Sequence, residues 1–111
     1  MNVQDAVSTL SAEIIVHGDG FLKNIKHVVA SDLMSDVLLV DEDDMLLLTS
    51  LASDQVLRTA QIVGAVAVII VNGKSLPSSM KKVAMDLGMT LAVSKQSKFN
   101  ACIAIHHGMP Q

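Results

Sequence analysis

Two unbroken apolar runs separated by one amphipathic segment constrain this chain more than any other feature. Residues 44–73 read DMLLLTSLASDQVLRTAQIVGAVAVIIVNG. Met45, Leu46, Leu47 and Leu48 run without interruption to Thr49, and residues 65–71 form a second run rich in Val and Ile. A strand with one wet face alternates polar and apolar residues, whereas continuous apolar runs of this length suit parallel strands covered on both sides. Both runs are therefore predicted to lie in the middle of a sheet. Between them Ser53 is placed to cap a helix, Asp54 puts negative charge in its first turn, and Gly64 can adopt the left-handed conformation that ends it. Val56, Leu57, Ala60 and Val63 share one helical face, with Asp54, Arg58 and Gln61 elsewhere. The result is a βαβ unit, whose crossover is expected to be right-handed.

A chain of 111 residues has room for one domain. Half of it is hydrophobic, yet it has two phenylalanines and neither tyrosine nor tryptophan, so Val, Leu, Ile, Met and Ala must fill the core. The seven methionines scatter over several elements and read as gap-fillers. So much apolar side chain in a small domain points to a subunit interface, and a homodimer is expected. The net charge of −3, with no basic run and few stacking aromatics, argues against nucleic-acid binding. A single cysteine, Cys102, excludes an internal disulfide, and the N-terminus has no basic-then-apolar signal. No apolar run is long enough for a membrane span. A cytoplasmic location is the expectation.

The remaining elements follow in order. Residues 2–10 carry helical periodicity in Val3, Ala6, Val7 and Leu10, with Asn2 as cap, and residues 12–17 (AEIIVH) form a short strand closed by Gly18-Asp19-Gly20. Residues 24–30 (NIKHVVA) alternate as a strand with one side less deeply buried. Ser31 or Asp32 could cap a short helix whose face is Met34, Val37 and Leu38. After the central unit, residues 76–87 form a helix with Pro77 in its first turn, a stripe of Met80, Val83, Ala84 and Leu87, and Gly88 at its end. A further strand spans residues 89–94. A last helix from about residue 96 to residue 106 presents Phe99, Cys102 and Ile103 on one face, and residues 105–111 are expected to fray. This order predicts an α/β fold, a three-layer α/β/α sandwich around a mostly parallel sheet of about five strands.

Ligands of open α/β sheets bind beyond the carboxyl ends of the strands, next to helix N-termini. Here that edge carries Thr49, Ser50, Ser53, Asn72, Gly73, Lys74 and Ser75, followed by Ser94 and Lys95. Hydroxyls, backbone N–H groups and two lysines suit a small anion or a nucleotide; caps and turns require the same residue types. Other motifs are incomplete. Gly18-Asp19-Gly20 lacks the third glycine of a dinucleotide loop because position 23 is Lys, and Gly73-Lys74-Ser75 lacks the glycine of a phosphate loop because position 68 is Val. Residues 41–44 are acidic without the spacing or glycine of a calcium loop. His106 and His107 are neighbours that diverge on a helix. His17 and His27 could meet across adjacent strands and, with a terminal histidine, hold a metal, but isolated polar histidines are the simpler reading. Cys102 reads as a small buried hydrophobe. No acid, base or nucleophile pair can be assembled, so no catalytic residue, metal or cofactor is predicted, and the chain reads as a non-enzyme.

From about residue 9 to residue 104 the sequence resembles the DRTGG domain family. LSAEIIVHG resembles that family's first strand, residues 44–73 its central unit, and SLPSSMKKVAMDLGMTLAVSKQSKFNACIAI its closing helix, strand and helix. The two naming motifs are replaced: Leu51-Ala52-Ser53 stands where an Asp-Arg turn would follow the central strand, and Val71-Asn72-Gly73 where Thr-Gly-Gly would end the next. The chain is identified as a stand-alone member, similar in fold to the N-terminal domain of HPr kinase/phosphorylase. The resemblance implies a regulatory or dimer-forming role without catalysis. Such domains accompany phosphotransacetylase and CBS-domain pyrophosphatases, and stand-alone members occur near hydrogenase genes in anaerobes, so a protein partner from hydrogenase or phosphotransacetylase systems is implied. The expected function is thus a non-catalytic regulatory or interaction domain acting as a homodimer. The first alternative is a sensor of an adenine nucleotide or other phosphorylated metabolite at the strand edge, and the second is a small enzyme.

Overall fold

In the computed structural model, which describes residues 1–109, the chain runs α1 (Val3–Thr9), β1 (Glu13–Val16), β2 (His27–Ala30), α2 (Met34–Val37), β3 (Met45–Thr49), α3 (Asp54–Val63), β4 (Ala67–Ile70), α4 (Ser78–Leu87), β5 (Thr90–Val93) and α5 (Lys98–Gly108). The five strands form one sheet in the order β1-β5-β4-β3-β2. β2, β3, β4 and β5 are mutually parallel, and β1 joins the far edge antiparallel to β5. The predicted order of elements and the mostly parallel five-stranded sheet are both present.

The two apolar runs lie side by side, with Leu46 paired to Ala67 and Thr49 to Ile70, and every residue of β3 and β4 is buried. Period-two alternation divides them between two cores. Leu46, Leu48, Ala67 and Ile69 pack with Val3, Ala6, Val7 and Leu10 at the α1 end of the chain and Ala101 and Ile105 of α5. Met45, Leu47, Val68 and Ile70 pack with Met34 and Val37 of α2, Val56, Leu57 and Ala60 of α3, and Met80 and Ala84 of α4. The sheet is therefore the middle layer of an α/β/α sandwich.

Local signals end the helices where expected. Asn2 and Asp5 form a reciprocal capping box at α1, and Gly64 (φ 74°) and Gly88 (φ 66°) close α3 and α4 in the left-handed region. The Gly18–Gly20 turn passes so close to the sheet that a Cβ on Gly18 would lie 2.3 Å from the Thr90 nitrogen, and one on Gly20 2.5 Å from the Val66 carbonyl oxygen. These glycines serve close packing rather than a ligand.

Several expectations are corrected. α5 buries Ala101 and Ile105, while Phe99 is 73% and Ile103 39% exposed, so the face of Phe99, Cys102 and Ile103 is not the core face. The helix continues to Gly108 with Ile105 in the core, so residues 105–108 do not fray; residues 110–111 lie outside the described residues. In α2, Met34 and Val37 are buried but Leu38 is exposed, and the N-cap position falls to Leu33 with no side-chain cap. The Ser31 hydroxyl accepts from the Leu33 N–H instead, and Asp32 is engaged elsewhere. In the 24–30 segment, Lys26 and His27 both donate to the Asp44 carbonyl, which breaks the alternation and puts Ile25 in the opposite core from Val29. β1 and β2 are the two outer edges of the sheet, so His17 and His27 cannot meet.

Candidate functional site

The predicted strand edge exists, but it divides into two places. At the first, β2 and β3 end next to each other, and the Asp32 carboxylate turns inward over their ends. Its Oδ1 accepts from the Thr49 hydroxyl at 2.8 Å and the Ser50 N–H at 2.7 Å; its Oδ2 accepts from the Ser50 hydroxyl at 2.7 Å and from Lys98 Nζ. Thr49 is fully buried, and its Oγ1 also accepts from the Leu51 N–H. Desolvation pushes the Asp32 pKa up. The Lys98 ammonium and the bonds from Ser50 and Thr49 outweigh it and hold the carboxyl well below the usual carboxylate range. Thr49 and Ser50 are thus bound to a residue of their own chain. Ser53 occupies the N-cap position of α3, but its hydroxyl caps nothing: Oγ is buried without a hydrogen-bond partner among the described residues.

Asn72 stands between the two places. Its backbone is left-handed (φ 67°), its N–H donates to the Gln96 carbonyl, and its side-chain oxygen accepts from the Lys98 N–H in the first turn of α5. It ties the loop after β4 to the loop after β5. Ser94 is likewise structural: it is buried, donates to the Leu10 carbonyl at 2.8 Å and accepts from the Gln96 N–H.

The second place lies beyond the ends of β4 and β5, where Gly73, Lys74 and Lys95 border a cleft of about 350 Å³ with Ser11, Glu13 and Gln96. An adjoining groove of about 420 Å³ shares Lys74 and Glu13 and adds Ser75, Pro77, Ser78 and Lys81 at the start of α4. Lys74 and Lys95 are exposed and form no ion pair among the described residues. Of the seven candidates, Gly73, Lys74 and Ser75 therefore line open surface, whereas Thr49, Ser50 and Asn72 are held by internal bonds.

The sequence reading missed Lys98 altogether and took Asp32 only as a helix cap. Asp32 is 17 residues from Thr49 and 66 from Lys98. No local pattern joins residues so far apart. Two charged residues flanking a predicted sheet edge were the available signal.

The histidines serve separate roles: His17 stacks on Phe21 with ring centroids 4.1 Å apart, and His27 Nε2 lies 3.0 Å from a Glu42 oxygen. Cys102 is half-buried. Among the described residues no group of three or more His, Cys, Asp or Glu side chains converges as a metal site, and no helix is long and apolar enough to cross a membrane.

No family model matches the sequence, and no curated protein matches it either. Among solved structures, the crystal structure of the CBS and DRTGG domains of the regulatory region of Clostridium perfringens pyrophosphatase, complexed with the activator diadenosine tetraphosphate, aligns with 98% of this chain at TM-score 0.72 and 17% identity. The chain spans 47% of the chain in that crystal structure, about half its length. Likeness at this identity is likeness of fold, and it supports a DRTGG-like fold for the chain.

Proposed function

We propose that this chain is a non-catalytic regulatory or interaction domain that acts as a homodimer in the cytoplasm. The observation that carries this reading is the closed network at the end of β2 and β3. There the Asp32 carboxylate accepts four hydrogen bonds, which fixes Thr49, Ser50 and Lys98 in place rather than leaving them poised for a substrate. The likeness in fold to part of a pyrophosphatase regulatory region supports the same reading. Light scattering on the purified protein tests it: a mass of two chains at micromolar concentration is expected, and a monomer overturns the homodimer. A protein partner, such as the hydrogenase or phosphotransacetylase systems implied by the DRTGG resemblance, would be sought by co-purification at native abundance.

One observation favours a second reading, a sensor of an adenine nucleotide or other phosphorylated metabolite. Lys74 and Lys95 border a cleft and form no ion pair among the described residues, and backbone N–H groups at the start of α4 lie beside it. The pyrophosphatase region of similar fold is complexed with an adenine-containing activator. The expected outcome for a sensor is a rise in melting temperature with ATP, AMP or diadenosine tetraphosphate that disappears in a Lys74→Ala, Lys95→Ala variant; ligand at about 100 times its Kd adds roughly 2.7 kcal/mol. A melting curve unchanged by all three removes this reading and leaves the first.

A further inference from the structure

We propose that β2 is the strand through which two copies of this chain join, antiparallel about a two-fold axis, with Val28 of each copy hydrogen-bonded to Ala30 of the other, so that the two sheets become one. This rests on the homodimer reading and assigns it a surface and a register.

The two margins of the sheet differ. β1 opens with Glu13 and carries a register irregularity between Ile14 and Val16, devices that discourage further pairing. β2 has neither: His27, Val28, Val29 and Ala30 pair with Met45, Leu46, Leu47 and Leu48 without a break, and the strand holds no proline, glycine or lysine. Among the described residues no strand pairs with its far side. His27 and Ser31 donate inward to the Asp44 and Leu48 carbonyls. Because direction alternates along a strand, the N–H and C=O groups of Val28 and Ala30 point outward, and they make no hydrogen bond among the described residues.

Symmetry selects the register. A two-fold axis perpendicular to the sheet keeps each face continuous, so residues opposite one another must point to the same face and their numbers must sum to an even value. Setting Val28 across from the partner's Ala30 pairs every outward N–H and C=O of both strands. Setting Val28 across from the partner's Val28 would put Ala30 opposite Lys26, whose N–H is already bonded to Asp44.

The charges agree with that register. It sets Lys26 across from the partner's Asp32. Lys26 already pairs with Asp44 at 3.5 Å, and Asp32 with Lys98. Each end of the junction thereby gains a row of alternating sign: Asp44, Lys26, the partner's Asp32, the partner's Lys98. Apolar surface flanks the strand as well, since Val28 and Ala30 line a groove of about 330 Å³ with Cys102 and Ile105 of α5. A second copy would bring its own α5 against this groove.

The register predicts one cross-link. Val29 faces the partner's Val29 as a non-hydrogen-bonded pair, whose Cα atoms lie about 4.5 Å apart, within disulfide reach. In a Cys102→Ala background, Val29→Cys is expected to form an inter-chain disulfide under mild oxidation at least about tenfold faster than Val28→Cys, which is offset from its own copy by two residues. Light scattering on the wild type runs beside it. A wild-type dimer with cross-linking selective for position 29 supports the proposal. A wild-type dimer in which neither cysteine links, or both link equally, overturns this surface or register and leaves the homodimer standing. A monomeric wild type overturns both.

Discussion

At the scale of single residues, Asp32 organises one end of the sheet. A carboxylate whose folded-state pKa is depressed contributes stability above its unfolded value and loses it as the pH falls toward the folded value. The Asp32 contribution is therefore complete at neutral pH and declines below about pH 5, where an unfolded aspartate begins to take up its proton. Asp32→Asn keeps the shape but removes the charge facing Lys98, and is expected to destabilise the protein by roughly 1–3 kcal/mol at pH 7. Thermal melts at pH 7 and pH 3 check this: the gap between wild type and variant should be smaller at the second than at the first without closing, because the folded carboxyl still holds off its proton at pH 3. A gap that does not change with pH would mean that the charge of Asp32 does not carry its contribution.

At the scale of elements, α5 separates composition from packing. Apolar residues lie all around it, so periodicity in the sequence gives no clear face, and contact with the sheet decides which side is covered. Ala101 and Ile105 fill the core shared with α1, and Phe99 stands in solvent. Ile105→Ala should cost about 2–5 kcal/mol, the usual range for emptying a core site. Phe99→Ala should change stability by no more than about 0.5 kcal/mol. Denaturant unfolding of the two variants settles which face is buried, and the reverse order of effects would overturn the assignment.

For the whole molecule, the two cores are not independent. β3 and β4 contribute alternate residues to both, so loss of either helical layer exposes strands that the other layer needs. A single cooperative unfolding transition is expected. Leu57→Ala beneath α3 and Ile105→Ala beneath α5 should each lower the temperature of that one transition rather than split it, and calorimetry would reveal a split as two peaks.

The βαβ unit, the order of elements, the glycine ends of α3 and α4 and the capping box at Asn2 were all determined within the sequence, because each depends on residues within a few positions of one another. Which strands form the margins was not, since the apolar runs state only that β3 and β4 are covered and leave β1 and β2 free to take either edge. The candidate edge was legible as a row of polar residues after the strands. Its division into a closed network around Asp32 and an open cleft at Lys74 was not. Burial and capping are local free energies written in neighbouring residues. The pairing of Asp32 with Lys98, the buried side of α5 and the place of β2 at the sheet margin arise only when distant segments meet, and only the tertiary structure decided them.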